Sequence, residues 1–465
     1  METFTRDGAP AFRAVHNSAG YAGLERVFRD PVYGNISVAS PAVLDVIDSP
    51  YFQRLRRIHQ LGMCHLVYYG AEHSRFQHSI GAMWLMHRIL THWRVTGAAA
   101  ISDDLALVGT LAALLHDVGH GPFSHALENV FSNVHHEAIG MRIVGERLRP
   151  MLEGRGVDVD LLLNVMRGTA GLPFLSELIS SQMDVDRMDY LLRDSHYTGV
   201  RYGLFDVDRI IFTLTPIPDR AAPERHILAI TAKGMHAAEE YLFSRHSMYW
   251  QVYFHKTTRA CEVLLKSVLQ RAREVFGEKQ AIELPRNLRF MFEMAASNTE
   301  AWLDAYLGLD DTDLFHAIKL WRSDSDETLA DLAHRFIDRR PFKALPLLSD
   351  DPEVIAEIEA EVSRHYGART RYYMHVDRPS DTAYDFYTAR PGTPVIRVLT
   401  EAPDGWEEIS AVAQTQAVRA LSREVTRAYV MLPDDCAAAA RRIIDAHAPA
   451  RPSRPAPPEQ RNTDL

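Results

Sequence analysis

The apolar residues of this chain recur mainly at helical spacing. From Ser49 to about Phe276 they stand three or four positions apart, and glycine and proline are confined to the joints. This pattern is typical of amphipathic helices that pack on one another. Ahead of it, from Arg26, apolar residues alternate with turn signals at positions 30–31 and 33–34. We therefore predict a mostly α-helical body that opens with a small strand or turn unit.

The pattern becomes mixed after about Pro285. Strand-like stretches at 371–375 and 395–399 stand among segments with helical spacing. These helix-compatible segments are Glu300–Leu309, Leu314–Ile318, Asp326–Ile337, Asp351–Tyr366, Thr415–Arg427 and Ala437–Ala446. We predict a main helical domain at 25–339 and a smaller α+β C-terminal lobe at 340–447.

The two ends of the chain differ from this body. Residues 448–465 include five prolines and few apolar residues. Burial in such a segment cannot offset the entropy lost on ordering, so we expect a disordered tail. Residues 1–24 are predicted to form a short N-terminal leader.

Charge and cysteine content restrict the possible partners. The formal net charge is −10, and the three cysteines are widely spaced without a CxxC motif. No general basic field attracts nucleic acid or an anionic membrane, so a phosphate ligand needs local cations or a metal. The cysteine pattern favours a reducing compartment, and the apolar run Leu105–Leu115 is well short of the roughly 20 residues that span a bilayer. We expect a cytoplasmic protein with no membrane partner, for which nucleic acid is at most a secondary partner.

Histidine is the unusual component. The chain has 22 histidines, many of them between His59 and His136. His116-Asp117 ends a helix that Ser102 can cap, at a point where a terminal backbone lets neighbouring side chains converge on one cation. A capping box at 74–77 begins another helix, which places His78 one turn inside and Arg75 on the same face.

A third candidate helix, capped by Ser176, carries Asp186, Tyr190 and Asp194 at positions i, i+4 and i+8. Apolar residues flank these carboxylates, and buried carboxylates need a metal or an arginine as partner. With His78 and His116-Asp117, Asp186 completes a set of two imidazole nitrogens and two carboxylate oxygens. This set suits one divalent transition metal, Fe, Mn, Zn, Co or Ni. Such a metal indicates hydrolysis of a phosphate ester, with His120, His125 and His136 as candidates for proton transfer.

The order of these residues resembles the H…HD…D signature of the HD-domain phosphohydrolases. The segments that carry the resemblance are Phe52–Gly62, His73–Gly81, Leu115–His125 and Asp184–Tyr190. They are closest to the HD-domain deoxynucleoside triphosphate triphosphohydrolases, a family whose vertebrate branch couples a sterile-alpha-motif domain to the HD domain. Only about two dozen residues precede Arg26, so we expect no such domain here.

The resemblance implies a helical HD fold that hydrolyses a dNTP at the α-phosphorus to nucleoside and inorganic triphosphate. It implies one metal on His78, His116, Asp117 and Asp186, and Mg²⁺ can accompany the bound nucleotide. The implied catalytic residues are Arg75 on phosphate, His125 as proton donor to the 5′-oxygen, Glu128 as the carboxylate that orients it, and His136 as a support for the reacting group.

The same resemblance assigns a substrate pocket. The implied contacts are Arg187 and Arg245 to phosphate, Tyr190 and Asp194 to the deoxyribose, Gln60 and Leu61 beside sugar and base, Tyr249 and Tyr253 near the base, and His120 as a secondary contact or a partner of the metal ligands. Arg245, Tyr249 and Tyr253 stand at i, i+4 and i+8, which predicts one helical face.

The vertebrate enzyme of this family is a tetramer switched on by nucleotides bound between subunits. The matching positions are Arg26, Val27, Asp48, Gln53, Arg56 and Lys233. They imply a homo-oligomer, dimer or tetramer, activated by GTP or dGTP. Thr231 stands where an arginine is expected, so a different activator, or none, is the alternative.

Two other functions are alternatives to a dNTP triphosphohydrolase. One is an HD phosphohydrolase acting on a nucleoside monophosphate or a cyclic dinucleotide. The other is a nucleotide or single-stranded nucleic-acid binding protein with an incidental metal site, which at a net charge of −10 requires a local basic patch.

Overall fold

The structure, a computed structural model, describes residues 25–123, 135–220, 222–279, 282–294, 299–348, 351–381, 395–401, 405–413 and 425–447. The predicted leader and the predicted tail lie outside these ranges. The mostly α fold predicted from the sequence is confirmed. Among the described residues, no helix carries an apolar stretch long enough to cross a bilayer.

Helices make up most of the described chain. The α-helices up to residue 279 are Pro41–Asp48, Pro50–Gln53, Arg75–Thr96, Asp103–Leu115, His136–Arg142, Arg149–Gly154, Val159–Arg167, Pro173–Ile179, Val185–Thr198, Val207–Thr213, Met235–Met248 and Lys256–Lys279. Those that follow are Arg286–Glu293, Glu300–Leu307, Asp311–Trp321, Glu327–Ile337, Pro352–Tyr366, Thr370–Tyr373, Ile409–Val412 and Asp434–Ala446. Shorter 3₁₀ turns span Arg54–Arg57, Gly62–Leu66, Ala232–Gly234 and Gly367–Arg369, and π-helical turns span Ile143–Leu148 and Tyr249–Tyr253.

Four small sheets accompany the helices in the described part of the chain. The predicted opening unit is an antiparallel hairpin of Arg26–Asp30 and Gly34–Val38, in which Val27 pairs with Ser37. A four-stranded sheet has the order Leu214–Pro218, His226–Ile230, Arg397–Leu399, Trp406–Glu408. A three-stranded sheet has Tyr429–Leu432 between Lys343–Pro346 and His375–Asp377, and Val425–Thr426 pairs with Ser380–Asp381.

One large hydrophobic core holds the helical body together. Trp93, Trp302 and Trp321 are fully buried in it. A smaller cluster beneath the three-stranded sheet joins the helices Pro352–Tyr366 and Asp434–Ala446, with Ile358 and Val362 completely buried. The domain boundary at 340 stays a prediction.

Two local predictions in this part of the chain are wrong. Residues Thr370–Tyr373 are helical, and the strand begins only at His375. Tyr372 and Tyr373 are both buried, whereas consecutive residues of a strand point to opposite faces. Val425–Thr426, at the end of a predicted helix, is a strand; residues 414–424 of that segment lie outside the described ranges.

Candidate metal centre and nucleotide pocket

Two helix termini bring the first two histidines together. The capping box forms as predicted: the Ser74 amide donates to Gln77 Oε1 (2.8 Å), and His78 follows one turn into Arg75–Thr96. Ser102 caps Asp103–Leu115 by accepting from the Leu105 amide, and His116 ends that helix. The local signals in the sequence therefore place both imidazoles where the two helices meet.

Hydrogen bonds at Nδ1 orient both imidazoles. His78 Nδ1 donates to Asp189 Oδ2 (2.8 Å), and His116 Nδ1 donates to the Ala113 carbonyl (2.8 Å). The two Nε2 atoms then face each other at 3.2 Å. Because a neutral imidazole with a protonated Nδ1 has only a lone pair at Nε2, this arrangement needs a cation or a proton between the rings.

Two carboxylates complete the cluster. Asp186 Oδ1 lies 3.1 Å from His78 Nε2 and 3.6 Å from His116 Nε2. Asp117 oxygens lie 3.4 Å from His116 Nε2 and 3.7 Å from His78 Nε2. Ligand atoms about 2.1 Å from one transition-metal ion are themselves about 3.0–3.5 Å apart. The separations here, 3.1 to 3.7 Å, are close to that range. His78, His116 and Asp186 form one group of possible metal ligands. Asp117, whose oxygens lie 3.4 and 3.7 Å from the same two Nε2 atoms, stays the predicted fourth ligand.

The cluster is charged as a cation site should be. Burial disfavours protonated His78, but hydrogen bonds with Asp186 and Asp189 outweigh this and raise the pKa of His78 to about 10. Burial also disfavours ionised Asp186, yet its bonds to His116 and His78 hold the pKa of that carboxyl well below its usual range. The carboxylates stay ionised and stabilise positive charge between the rings.

A second group lies on the other side of Asp117. Arg75 Nη1 donates to Asp117 Oδ2, and His120 Nε2 lies 3.3 Å from Asp117 Oδ1. His120 stacks on His136 with ring centroids 3.7 Å apart. Burial and the Arg75 charge lower the pKa of His120 to about 3, so His120 is neutral at physiological pH.

Gly119 permits this stacking. A Cβ there would lie 2.0 Å from the His136 carbonyl oxygen and 2.4 Å from the Gly140 amide nitrogen. The turn after His116-Asp117 therefore packs directly on the helix His136–Arg142. Asp117, His120 and His136 form a further group of possible metal ligands. His125 and Glu128, predicted as catalytic residues, lie outside the described residues.

Asp186, Tyr190 and Asp194 lie on one helix, as predicted, but this helix begins later than predicted. The expected start at Ser176 is wrong, because Pro173–Ile179 ends before Asp184, whose side chain accepts from the Arg187 amide and caps Val185–Thr198. Asp184 also accepts from Arg187 Nη1. Arg187 Nε is buried without a hydrogen-bond partner in the described chain.

Asp194 lies at the centre of a buried polar cluster. His73 Nε2 donates to Asp194 Oδ1 (2.7 Å) and the Tyr253 hydroxyl donates to Oδ2 (2.7 Å). The Tyr190 ring lies 5.9 Å from that of Tyr253 and 6.5 Å from that of His78. The structure thus brings Tyr190, Asp194 and Tyr253 together beside the candidate metal ligands. The sequence assigns no role to His73, although this residue begins one of the segments that carry the family resemblance.

Gln60 and Leu61 adjoin the same cluster. The backbone amide of Gln60 donates to the backbone carbonyl of His73 (3.0 Å). The side-chain oxygen Oε1 of Gln60 is buried with no hydrogen bond from a described residue. Asp311 Oδ2 accepts from the backbone and Nδ1 of His59, and its Oδ1 accepts from the Phe123 amide (2.8 Å). This carboxylate, which the sequence did not single out, joins the Gln60 segment to the turn that follows His120.

Arg245 is buried, and its helix does not continue regularly. Arg245 Nη1 donates to Gln182 Oε1 (2.7 Å), whereas Nε has no partner among described residues. The α-helix ends at Met248 and a π-helical turn, Tyr249–Tyr253, follows. The prediction of one continuous α-helical face is therefore wrong beyond residue 248, since a π turn accommodates an extra residue. The rings of Tyr249 and Tyr253 still meet, 5.1 Å apart at right angles.

The residues matched to an activator site lie mainly in one exposed cluster. Arg26 makes two hydrogen bonds to Asp48 (2.6 and 2.8 Å), and Arg56 Nε donates to Gln53 Oε1 (2.8 Å). The Arg56 charge also contributes, after that of Arg26, to lowering the pKa of Asp48. Val27 is exposed beside them in sequence. Lys233 lies on the short turn Ala232–Gly234, where its carbonyl accepts two bonds from Arg209.

Comparison with known proteins agrees with this geometry. The family model described as HD domain matches residues 75–194, and that of an HD associated region matches 205–384. The uncharacterised protein YwfO of Bacillus subtilis is 39% identical over 375 residues, covering 79% of this chain and 82% of YwfO. The chain belongs to the HD-domain phosphohydrolase family, as the sequence motifs predicted.

This chain is also similar to a solved structure and to a protein of named activity. The crystal structure of a phosphohydrolase from Bacteroides thetaiotaomicron superposes with a TM-score of 0.79 at 32% identity, covering 88% of this chain and 99% of that one. The deoxynucleoside triphosphate triphosphohydrolase SAMHD1 of Gallus gallus is 28% identical over 376 residues. The match covers 72% of this chain and 58% of the chicken protein.

Proposed function

We propose that this HD phosphohydrolase is a metal-dependent dNTP triphosphohydrolase that releases a deoxynucleoside and inorganic triphosphate. One observation carries the proposal. Arg187 and Arg245 each keep a buried Nε–H with no hydrogen bond among the described residues, next to the tyrosines and Asp194 that adjoin the metal cluster. Buried donors are normally satisfied, so two guanidinium groups that each keep an unsatisfied Nε–H favour an anionic ligand at this site.

The two guanidinium groups share one environment. Burial raises the pKa of Tyr190, and the nearby Tyr249 phenol raises it further. The charges of Arg187 and Arg245 both act to lower the same pKa. Arg75 contacts Asp117 among the candidate metal ligands, and in the proposal it binds phosphate together with Arg187 and Arg245. Their charge, concentrated locally, accounts for polyphosphate binding by a chain whose net charge is −10.

Sugar recognition in the proposal uses Tyr190 and Asp194. The Tyr190 ring, packed between His78 and Tyr253, takes the space that a ribonucleotide 2′-hydroxyl would need. Asp194, held by His73 and Tyr253, has lone pairs left to accept the 3′-hydroxyl. Gln60 and Leu61 lie beside the sugar and base, and Tyr249 with Tyr253 contacts the base.

Hydrolysis joins a water oxygen to the α-phosphorus and breaks the bond from that phosphorus to the 5′-oxygen. A divalent metal held by His78, His116, Asp117 and Asp186 would supply Lewis-acid polarisation of water and of a phosphoryl oxygen. Arg75 holds the phosphate, and His125, oriented by Glu128, donates the proton that the 5′-oxygen takes as it leaves. His136 supports the reacting group. Neutral His120 stacks on the His136 ring and holds that ring in place.

The assembly and its regulation form part of the same proposal. The protein acts in the cytoplasm as a homo-oligomer, and a guanine nucleotide binds at the exposed cluster of Arg26, Asp48, Gln53 and Arg56 and activates it. The similarity to SAMHD1 supports this reading.

Product analysis tests the function. Purified protein loaded with Mn²⁺, Fe²⁺, Zn²⁺, Co²⁺ or Ni²⁺ is incubated with each dNTP, with and without GTP or dGTP, and a His116→Ala variant serves as control. We expect deoxynucleoside and triphosphate from the wild type alone. Absence of both products under every condition contradicts the proposal. Faster release of phosphate from a nucleoside monophosphate, or faster opening of a cyclic dinucleotide to its linear form, assigns a different phosphohydrolase activity.

A further inference from the structure

A buried hydrogen-bond chain lies behind the imidazole of His78. Asp189 Oδ2 accepts from His78 Nδ1 at 2.8 Å, and Arg193 holds the same carboxylate with two bonds of 2.9 Å, Nε to Oδ2 and Nη2 to Oδ1. Asp189 and Arg193 are both 0% exposed. A two-point contact from arginine fixes the plane of a carboxylate, and the carboxylate in turn fixes the direction of the ring.

The same arginine reaches the N-terminal hairpin. Arg193 Nη1 donates to Asp30 Oδ2 (2.8 Å), and Asp30 Oδ1 accepts from the amides of Val32 (2.8 Å) and Tyr33 (3.0 Å). One oxygen of Asp30 therefore closes the hairpin turn while the other holds Arg193. Asp30 is 7% exposed, so this contact is shielded from solvent.

The helix that carries His78 is shaped to receive the pair. Gly81 lies on this helix, and a Cβ at Gly81 would stand 1.9 Å from Asp189 Oδ1 and 2.3 Å from Arg193 Nη2. No side chain fits between the helix backbone and the ion pair. The position of the pair against His78 is thus set by close packing as well as by hydrogen bonds.

We propose that Arg193 is a positioning residue that couples the N-terminal hairpin to the metal centre. Buried ionic groups need all of their partners, so loss of Asp30 leaves Arg193 incompletely paired and releases the carboxylate that orients His78. Docking of the hairpin strengthens metal binding, and by thermodynamic reciprocity metal binding strengthens docking of the hairpin. The inference rests on the metal centre and is independent of the substrate.

Metal affinity of the folded protein is the first test. Metal-free wild type, Asp30→Asn and Arg193→Lys are titrated with Zn²⁺ and with Mn²⁺ against a chromophoric chelator. We expect about tenfold weaker binding in both variants, as for other residues that support metal ligands. Asp326→Asn is the matched control. Asp326 accepts two hydrogen bonds from Arg271 (3.1 and 2.6 Å) but does not belong to the hydrogen-bond chain behind His78. A merely structural role lowers thermal stability and leaves the affinity unchanged.

Hydrogen exchange of the wild type is the second test. Amides of residues 26–38 should exchange more slowly with metal than without, and this difference should vanish in Arg193→Lys. Wild-type affinity in Asp30→Asn, or hairpin exchange that ignores metal, overturns the proposal. If Asp30→Asn does not fold, the wild-type exchange experiment decides alone. A protein that binds no metal contradicts the metal centre itself, whereas one that binds metal without hydrolysing dNTPs contradicts only the proposed function.

Discussion

The hydroxyl of Tyr253 donates a 2.7 Å hydrogen bond to Oδ2 of Asp194, joining a π-helical turn to the helix that carries Asp186. If this carboxylate accepts the 3′-hydroxyl, Asp194→Asn should lower kcat/KM for a dNTP at least tenfold, since hydrogen bonds to charged groups contribute about 1.5–3 kcal/mol. In the same variant, kcat/KM for the 2′,3′-dideoxynucleotide should fall much less. Tyr253→Phe, which keeps the Asp194 carboxylate, should preserve the discrimination between the dNTP and the dideoxynucleotide. Equal losses on both substrates in Asp194→Asn would place the sugar elsewhere.

The facing imidazoles predict strict metal dependence. His116→Ala and Asp117→Ala should abolish bound metal and turnover while leaving the helical circular dichroism largely intact. His92→Ala is the control, because His92 is outside the cluster and packs on Phe212. Metal content by elemental analysis, together with dNTP turnover, checks the prediction. Activity that survives chelation and either ligand substitution contradicts the assignment of the site.

The position of Tyr190 predicts sugar selectivity. Tyr190→Ala should raise kcat/KM for ribonucleotides relative to deoxyribonucleotides, because the ring no longer fills the space at the 2′ position. Tyr190→Phe keeps the ring and should keep the selectivity. Competition between a dNTP and the matching rNTP measures the ratio directly, and an unchanged ratio in Tyr190→Ala removes the residue from sugar recognition.

The His59 contacts predict a pH-dependent contribution to stability. Burial acts to lower the pKa of His59, but Asp311 and Glu72 outweigh burial and raise it. Protonated His59 therefore stabilises the folded state; its contribution is complete below its unfolded pKa and is lost as pH rises through the folded pKa. His59→Gln should reduce the free energy of unfolding more at pH 6 than at pH 8.5.

Urea denaturation of wild type and His59→Gln at both pH values checks this. His226→Gln, at an exposed strand position, should give the same small difference at pH 6 and pH 8.5. A His59→Gln effect that grows with pH would contradict the sign of the shift.

The helix-end motifs were the part of the site that the sequence could predict. A capping box and a serine cap are local signals, and they placed His78 and His116 correctly at two helix ends. The break between Ile179 and Val185 was missed because Ser176 and Asp184 both suit the start of a helix. Only packing in the folded protein selects between them.

Long-range partners were beyond the reach of local patterns. Arg193 meets Asp30 across 163 residues, and Asp311 meets His59 across 252. Spacing along a helix identifies which residues share a face, but it does not identify what that face will contact. The support behind the metal ligands could therefore be found only in the folded chain.

The π-helical turn Tyr249–Tyr253 makes chain length at this point a determinant of the pocket. Deleting one residue there would restore a regular α-helix and rotate everything beyond it by about 100°. Tyr253 would then turn away from Asp194 although both residues were still present. The number of residues between Arg245 and Tyr253 is therefore as informative about the proposed sugar contact as the identity of either residue.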